Sequence, residues 1–277
     1  MINFDGNCFS SLNAVPEELL RTISSLPIHI HHLIAFNGKI PLIEAHYFSI
    51  MAALRRFRVE IPMDFTLNFF QEQIDRLNDH NNIVPDVQML GLKFYRKNEP
   101  NQNQAVTPIC FLMEIYQVSW GSGVVDLTLY KDHYIFTDDF SNLFQTNASL
   151  RKLGEVFAYE NGFGAALLLN NQKRLAESTH GNVFLIQDDD IKTPALSEGT
   201  VNSVMRNAFI DFLIKDKNIE AVESEIPLFS IQQAHEVFLI SSAYGFVSIS
   251  QFRKKKFETQ KSEKLGEQFQ DYLKNQL

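Results

Sequence analysis

Three histidines near residue 30 are the residues whose type and spacing most directly suggest metal chemistry. His29, His31 and His32 lie in the run His-Ile-His-His. Alternation along a strand places His29 and His31 on the same face, and imidazole is a common zinc ligand. A zinc site needs three or four ligands, and the spacing alone supplies no third one. We therefore predict no metal and favour ordinary exposed or strand-edge histidines.

A second chemical feature is a loop at residues 194–199 that leads into a helix. Thr200 opens this predicted helix, which covers residues 201–213. The free backbone N–H groups at such a helix start can bind an anion such as a phosphate. Cys8 and Cys110, in contrast, have neither metal-binding nor redox spacing. The sequence therefore suggests a small anionic ligand rather than a metal.

The segments around this feature alternate between helix and strand. A helix over residues 148–160 ends at Asn161-Gly162, which is a usual C-terminal signal. A short apolar strand covers 165–169, and a strand over 174–186 contains a break at Gly181-Asn182. The predicted helix has apolar residues at helical spacing, namely Leu150, Leu153, Val156 and Phe157.

The first half of the chain shows a similar mixture. Asn37-Gly38 is a hairpin-type turn, and the Asn- and Gln-rich segment 96–105 is a polar loop. A joint at residues 120–123 divides the chain into a small N-terminal α/β domain, 1–119, and a larger C-terminal one, 120–277. The predicted helices of the first half cover 15–25, 44–57 and 65–77, and its strands cover 28–36, 87–95 and 108–119.

Composition narrows the classes of partner. The chain has 277 residues, 45% of them hydrophobic, which is ample for the cores of two domains. Its net charge of -8 argues against nucleic acid and anionic membranes. The basic run at residues 253–256 is interpreted as a solvated turn. No signal peptide and no membrane-length apolar run is present, so we expect a cytoplasmic protein.

The order of these elements, with seven matching segments, resembles the class IV aminotransferases, which are the fold-type IV pyridoxal-phosphate enzymes. That family includes branched-chain aminotransferase, D-amino-acid aminotransferase and aminodeoxychorismate lyase. The resemblance implies an α+β fold of two α/β domains, the second barrel-like, with a cleft between them, and a homodimer. The segments are 36–50, SNL at 141–143, GFGAALLLN at 162–170, 174–186, TPALSEG at 193–199, NSVMR at 202–206 and 235–249.

The resemblance also places the residues that carry the family's chemistry. A lysine directly after the SNL-like tripeptide forms the Schiff base with the cofactor, and Phe144 stands at that position. A phenyl ring can neither form an imine nor move a proton. The tyrosine position falls on Ala148, and the phosphate-binding arginine, three places after His46, falls on Ser49. Only the acidic partner of the pyridine nitrogen is retained, as Glu177.

The remaining cofactor positions keep backbone groups or hydroxyls. Val204 and Met205 match the family's phosphate-binding turn, although Met205 replaces a threonine, and Ser241 and Ser242 lie near a second phosphate contact. If Glu177 is buried and unpaired, a ligand or water is implied, and otherwise it is a strand residue bonded to backbone. The histidine strand borders the family's cleft, so its histidines could line a pocket.

Two functions follow. The first is a non-catalytic or altered homologue that keeps a small anionic-ligand pocket and binds pyridoxal phosphate weakly or not at all. The second is an active pyridoxal-phosphate aminotransferase or aminodeoxychorismate lyase with a displaced lysine or a noncovalently held cofactor. Lys152 would have to reach about 12 Å along the helix, and Lys173 lies in a turn. The residues therefore favour the first function.

Overall fold

The computed structural model describes residues 1–21, 26–80, 86–97, 108–118, 120, 123–188 and 190–277. Backbone contacts divide the chain into two compact units, Met1–Val118 with Gln276–Leu277 and Ser119–Asn275. Helices pack on a sheet in each unit, which confirms the mixed α/β class predicted from the sequence. Parts of the predicted helix 15–25, loop 96–105 and joint 120–123 lie outside the described residues.

The first unit is built on an antiparallel sheet in the order β2-β1-β5-β4-β3. Its strands are β1 (Ile2–Phe4), β2 (Asn7–Phe9), β3 (His29–Phe36), β4 (Val87–Arg96) and β5 (Ile109–Gln117). Its helices are α1 (Glu17–Leu20), α2 (Ile43–Arg56) and α3 (Leu67–Asp79). The three long strands and two long helices confirm the predicted segments to within two residues at each end. Helix α1 begins later than predicted, after Pro16, whose backbone is not helical.

Apolar side chains fix α2 and α3 on one face of this sheet. Leu33 and Leu90 from the strands and Leu54 and Leu77 from the helices belong to one buried cluster. The turn after β3 is the predicted two-residue turn, with positive φ angles of 50° at Asn37 and 78° at Gly38. Burial of the apolar face of α2 also turns His46 inward, toward β3.

The second unit is built on a mixed sheet that curls into a half-barrel, in the order β11-β10-β9-β12-β13-β6-β7-β8. The predicted strands are confirmed, and the segment 174–186 is divided at Gly181. A side chain there would place its Cβ 2.3 Å from the Ile240 carbonyl oxygen, and φ is +142°. The strands are β6 (Gly123–Leu129), β7 (Ala165–Leu169), β8 (Leu175–Ser178), β9 (Asn182–Gln187), β10 (Asp190–Pro194), β11 (Ala221–Ser224), β12 (Glu236–Ser241), β13 (Gly245–Phe252) and β14 (Lys255–Lys256).

Helix α4 (Ala148–Glu160) has the predicted bounds, but two of its four apolar residues at helical spacing are exposed. Its buried residues are Arg151, Gly154 and Ala158, whereas Leu153 and Val156 are 51% and 42% exposed. The reason is the close approach at Gly154, where a Cβ would lie 2.9 Å from Thr179 and 3.2 Å from Leu168. The sheet therefore approaches the helix along its small residues, and Arg151 lies on that side.

Helix α5 (Val204–Lys217) begins later than predicted. Ser203, and not Thr200, is the N-cap, because its Oγ accepts a hydrogen bond of 3.0 Å from the Arg206 amide. The Thr200 hydroxyl instead accepts a hydrogen bond from the Asn182 side chain. Two further helices are α6 (Ser230–Gln233) and α7 (Gln260–Lys274). Across the described residues, every helix is too short or too polar to cross a lipid bilayer.

Candidate functional site

Phe144 lies in a 3-10 turn, Phe144–Asn147, that leads directly into α4. Its ring is half-buried, and the Arg151 guanidinium carbon lies 4.6 Å from the ring centroid. The Phe144 carbonyl accepts a hydrogen bond from Arg151 Nη1. Position 144 therefore contacts one cation through its ring and its backbone. The correspondence of position 144 with the family's lysine remains a prediction from the resemblance.

Glu177, on β8, is paired with Arg151 on α4. Arg151 Nε donates to Glu177 Oε1 over 2.8 Å, and the side chains are only 7% and 2% exposed. The Val201 amide lies 3.4 Å from the other carboxylate oxygen, Oε2. Burial raises the pKa of Glu177, and the Arg151 charge and the two hydrogen bonds oppose that shift. Glu177 is thus buried, as a cleft residue would be, but its main partner is neither a ligand nor backbone.

The same cluster contains polar atoms with no partner among the described residues. Arg151 Nη2 and Gln145 Oε1 are buried and make no hydrogen bond within the part of the chain that the structure describes. The guanidinium thus uses Nε and Nη1 and leaves Nη2 unpaired. An unpaired buried donor costs free energy, and the contacts of Arg151 with Glu177 and Phe144 offset that cost.

The start of α5 lies directly beside Glu177, through the Val201 contact. The Asn202 amide donates to the Asn142 carbonyl over 3.0 Å, and Ser203 Oγ donates to Asn182 Oδ1 over 2.7 Å. Within the described chain, the amides of Val204 and Met205 have no acceptor of suitable geometry. These two amides therefore lack an acceptor from the described chain, although Met205 is fully buried and Val204 is only 9% exposed.

The other predicted site residues are spread over both units. Ser49 is half-buried on α2 of the first unit. In the second unit, Ser241 ends β12 and its Oγ accepts from the Tyr244 amide, and Ser242 follows in the turn. Lys152 forms an exposed ion pair with Glu155, and Lys173 is exposed in a turn with φ of +62°.

The histidines form a cluster inside the first unit. His31 Nε2 and His46 Nδ1 are 2.8 Å apart, and the centroids of the His29 and His31 rings are 5.7 Å apart. His29 and His46 are buried, so the exposed alternative is wrong for His29, whereas β3 is an edge strand of its sheet, as the strand-edge alternative predicts. No group of three or more potential metal ligands occurs among the described residues. The prediction of an exposed His29 failed because α2 covers β3, and local spacing does not reveal that contact.

Burial shifts the titration of this cluster. Burial lowers the pKa of His29 and of His46 from 6.5 to about 4. It also lowers the pKa of His31 well below 6.5, with a further contribution from the neighbouring histidines. Both ring nitrogens of His29 and Nε2 of His46 have no hydrogen-bond partner in the described chain. All three imidazoles are therefore neutral at pH 7.

Arg151 is the site residue that the sequence analysis missed. It lies three residues before Gly154 and seven before Ala158, so the three share one face of α4. Small residues on one face of a helix allow close approach to a sheet. An arginine on that same face therefore indicates a cation between the helix and the sheet. That signal is present in the sequence, but the apolar residues at helical spacing, which include the exposed Leu153 and Val156, do not reveal it.

The family model for amino-transferase class IV matches residues 32–252, and the chain belongs to this family. A probable branched-chain-amino-acid aminotransferase of Aquifex aeolicus is 28% identical over 123 residues, 44% of this chain and 40% of the relative. The aminodeoxychorismate lyase of Vibrio harveyi is 28% identical over 88 residues, 32% of each protein. The chain thus matches only about two fifths of the length of the first of these relatives and less of the second.

Solved structures confirm the predicted fold. A branched-chain aminotransferase from Thermoproteus uzoniensis matches 99% of this chain and 95% of its own with a TM-score of 0.82 at 13% identity. A putative 4-amino-4-deoxychorismate lyase from Legionella pneumophila matches 87% of this chain and 90% of its own with a TM-score of 0.74 at 17% identity. At these identities the likeness extends to the fold alone.

Pyridoxal phosphate, the cofactor that the family resemblance implies, does not fit the residues of this site. Position 144 has no amino group with which to bond an aldehyde. Both oxygens of Glu177 already have partners from the chain, Arg151 and Val201. A pyridine nitrogen at this carboxylate would have to displace the buried arginine. Only the free amides at the start of α5 suit the cofactor's phosphate.

Proposed function

We propose that this chain is a non-catalytic class IV aminotransferase-like protein that keeps a small-anion site at the start of α5. The observation that carries the proposal is the buried ion pair of Arg151 with Glu177 beside Phe144. An aminotransferase needs a nucleophilic amine and an unoccupied acid for the cofactor ring. This cluster supplies neither of them.

The anion site is supported by two amides without acceptors, those of Val204 and Met205, at the positive end of a 14-residue helix. The Ser203 hydroxyl caps the same turn and keeps these amides oriented. What would bind there is a phosphate or sulfate group held by backbone alone, since the buried Met205 side chain offers no donor. Other contacts must therefore decide whether the ligand is a free anion or a larger phosphorylated molecule.

The test is to add one equivalent of pyridoxal phosphate to the purified protein and to record its absorbance spectrum at the edge of the visible range. We expect no imine band and no spectral change when an amino-acid donor is added. Calorimetry with inorganic phosphate should show weak binding that Ser203→Ala weakens further, because the cap orients the turn. A stoichiometric imine band that changes with the donor would establish the alternative, an active enzyme with a displaced lysine.

A further inference from the structure

The Arg151 side chain combines three contacts that define a site for a planar cation. Its Nε donates to Glu177 Oε1 over 2.8 Å, its Nη1 donates to the Phe144 carbonyl, and its Cζ lies 4.6 Å from the Phe144 ring centroid. Carboxylate, carbonyl and aromatic face are the groups that recognise a guanidinium. The chain therefore contains a cation site and fills it with its own residue.

The position of this residue is fixed by packing. Gly154, one helical turn after Arg151, brings α4 within contact of Leu168 on β7 and of Thr179 just after β8. Glu177 lies two residues before Thr179, on β8. The backbone of α4 thus cannot move away from Glu177 without opening this packing. The guanidinium is held at the carboxylate by the helix as well as by charge.

A protonated pyridine ring has the same recognition features as a guanidinium. Both are planar, both spread their positive charge, and both carry an N–H donor in the plane. A buried carboxylate that already binds one of these cations binds the other only at a large cost in free energy, because the displaced cation would be left buried and unpaired. Arg151 and a ring-nitrogen ligand therefore compete for Glu177.

We propose that Arg151 is a built-in occupant of the Glu177 site, so that this carboxylate is closed to ring-nitrogen ligands until the arginine side chain is removed. The inference deepens the proposed non-catalytic function, because it explains why even noncovalent cofactor binding is excluded. It also predicts a new property, since the chain without this side chain contains an enclosed pocket for a small planar cation.

The test measures the thermal midpoint of Arg151→Ala in millimolar guanidinium chloride, with urea as a neutral probe of the same shape and sodium chloride as the salt control. We expect guanidinium to raise the Tm by about 3 °C in a saturable manner. Urea should leave the Tm unchanged. The same additions should not raise the Tm of the unmodified protein or of the Arg151→Ala/Glu177→Gln double variant.

The matched control is Arg174→Ala, which also removes an arginine from a buried glutamate, Glu198. Glu198 keeps a hydrogen bond of 2.9 Å from Asn170 Nδ2, and the Arg174 side chain is 25% exposed. Water can therefore enter its place, and guanidinium should produce no saturable rise. A rise equal to that of Arg151→Ala, or no rise in Arg151→Ala, would overturn the proposal.

A second measurement starts from the unmodified protein and needs no arginine variant. Saturation-transfer NMR with pyridoxine, which has the ring but no phosphate, should detect no binding to the unmodified protein. Binding of pyridoxine that Glu177→Gln abolishes would show that the carboxylate is open and would overturn the inference. An imine at a lysine would instead contradict the proposed function, so the two failures are distinguishable.

Discussion

Replacing Arg151 by alanine is expected to lower the free energy of unfolding by about 3–5 kcal/mol, because it leaves the Glu177 carboxylate buried without its charged partner. Glu177 is 1% exposed, so water cannot substitute for the guanidinium without rearrangement. Urea unfolding at pH 7 measures the loss. In some molecules the unpaired Glu177 carboxylate would bind a proton instead. Because protonation increases at lower pH, the loss of unfolding free energy should be smaller at pH 5 than at pH 7.

The control for this change is Lys152→Ala, the next residue on the same helix. Lys152 also forms an ion pair, with Glu155 at 2.9 Å, but its side chain is 71% exposed. Exposed pairs contribute little to stability, so this variant should unfold nearly as the unmodified protein does. The Arg151→Met/Glu177→Leu double variant should lose less than Arg151→Ala, since it buries no charge. Equal losses for Arg151→Ala and Lys152→Ala would contradict the buried pair.

The second large effect is acid destabilisation of the first unit. The pKa of His29 and of His46 is about 4 in the folded chain and 6.5 in the unfolded chain. Between these values the unfolded chain binds more protons, so stability is complete above pH 6.5 and is lost as the pH falls toward 4. Each of the two histidines contributes on the order of 3 kcal/mol to this loss.

The variant His29→Phe measures how much of this dependence of stability on pH comes from His29. Neither ring nitrogen of His29 has a hydrogen-bond partner in the described chain, and the ring already stacks on Phe94 with centroids 6.3 Å apart. This variant should therefore keep its stability at pH 7 and lose less of it between pH 6.5 and 4. His80→Gln, at an exposed histidine of the same unit, is the matched control. An unchanged slope in His29→Phe would contradict the contribution assigned to His29.

Local patterns in the sequence predict most elements but not which face of them is buried. The bounds of α4 follow from the spacing of its apolar residues and from the Asn161-Gly162 stop. Its orientation depends on how closely the sheet approaches, and Gly154 decides that, so Leu153 and Val156 are exposed. The sequence predicts too early a start for α5, because Thr200 and Ser203 both have hydroxyls suited to a cap. Only the tertiary contact to Asn182 separates their roles.

The site could be predicted only in part for the same reason. The resemblance identifies Glu177 as the acidic residue of the site but leaves its burial open, and the structure shows it buried. Its partner could not be identified, because Arg151 is 26 residues away in the chain and the pair exists only where β8 lies beside α4. The imidazole cluster likewise joins His31 to His46 across a strand and a helix. Pairing between distant elements is information that spacing does not contain.

The measurement that tests the central claim most directly is the mass of the protein after one equivalent of pyridoxal phosphate and borohydride reduction. The reduction fixes any imine between the cofactor and a lysine as a stable amine. With Phe144 at the predicted lysine position and Arg151 on Glu177, we expect the mass to remain that of the unmodified chain. A stoichiometric adduct on a single lysine, such as Lys152 or Lys173, would contradict the account and identify a working cofactor site.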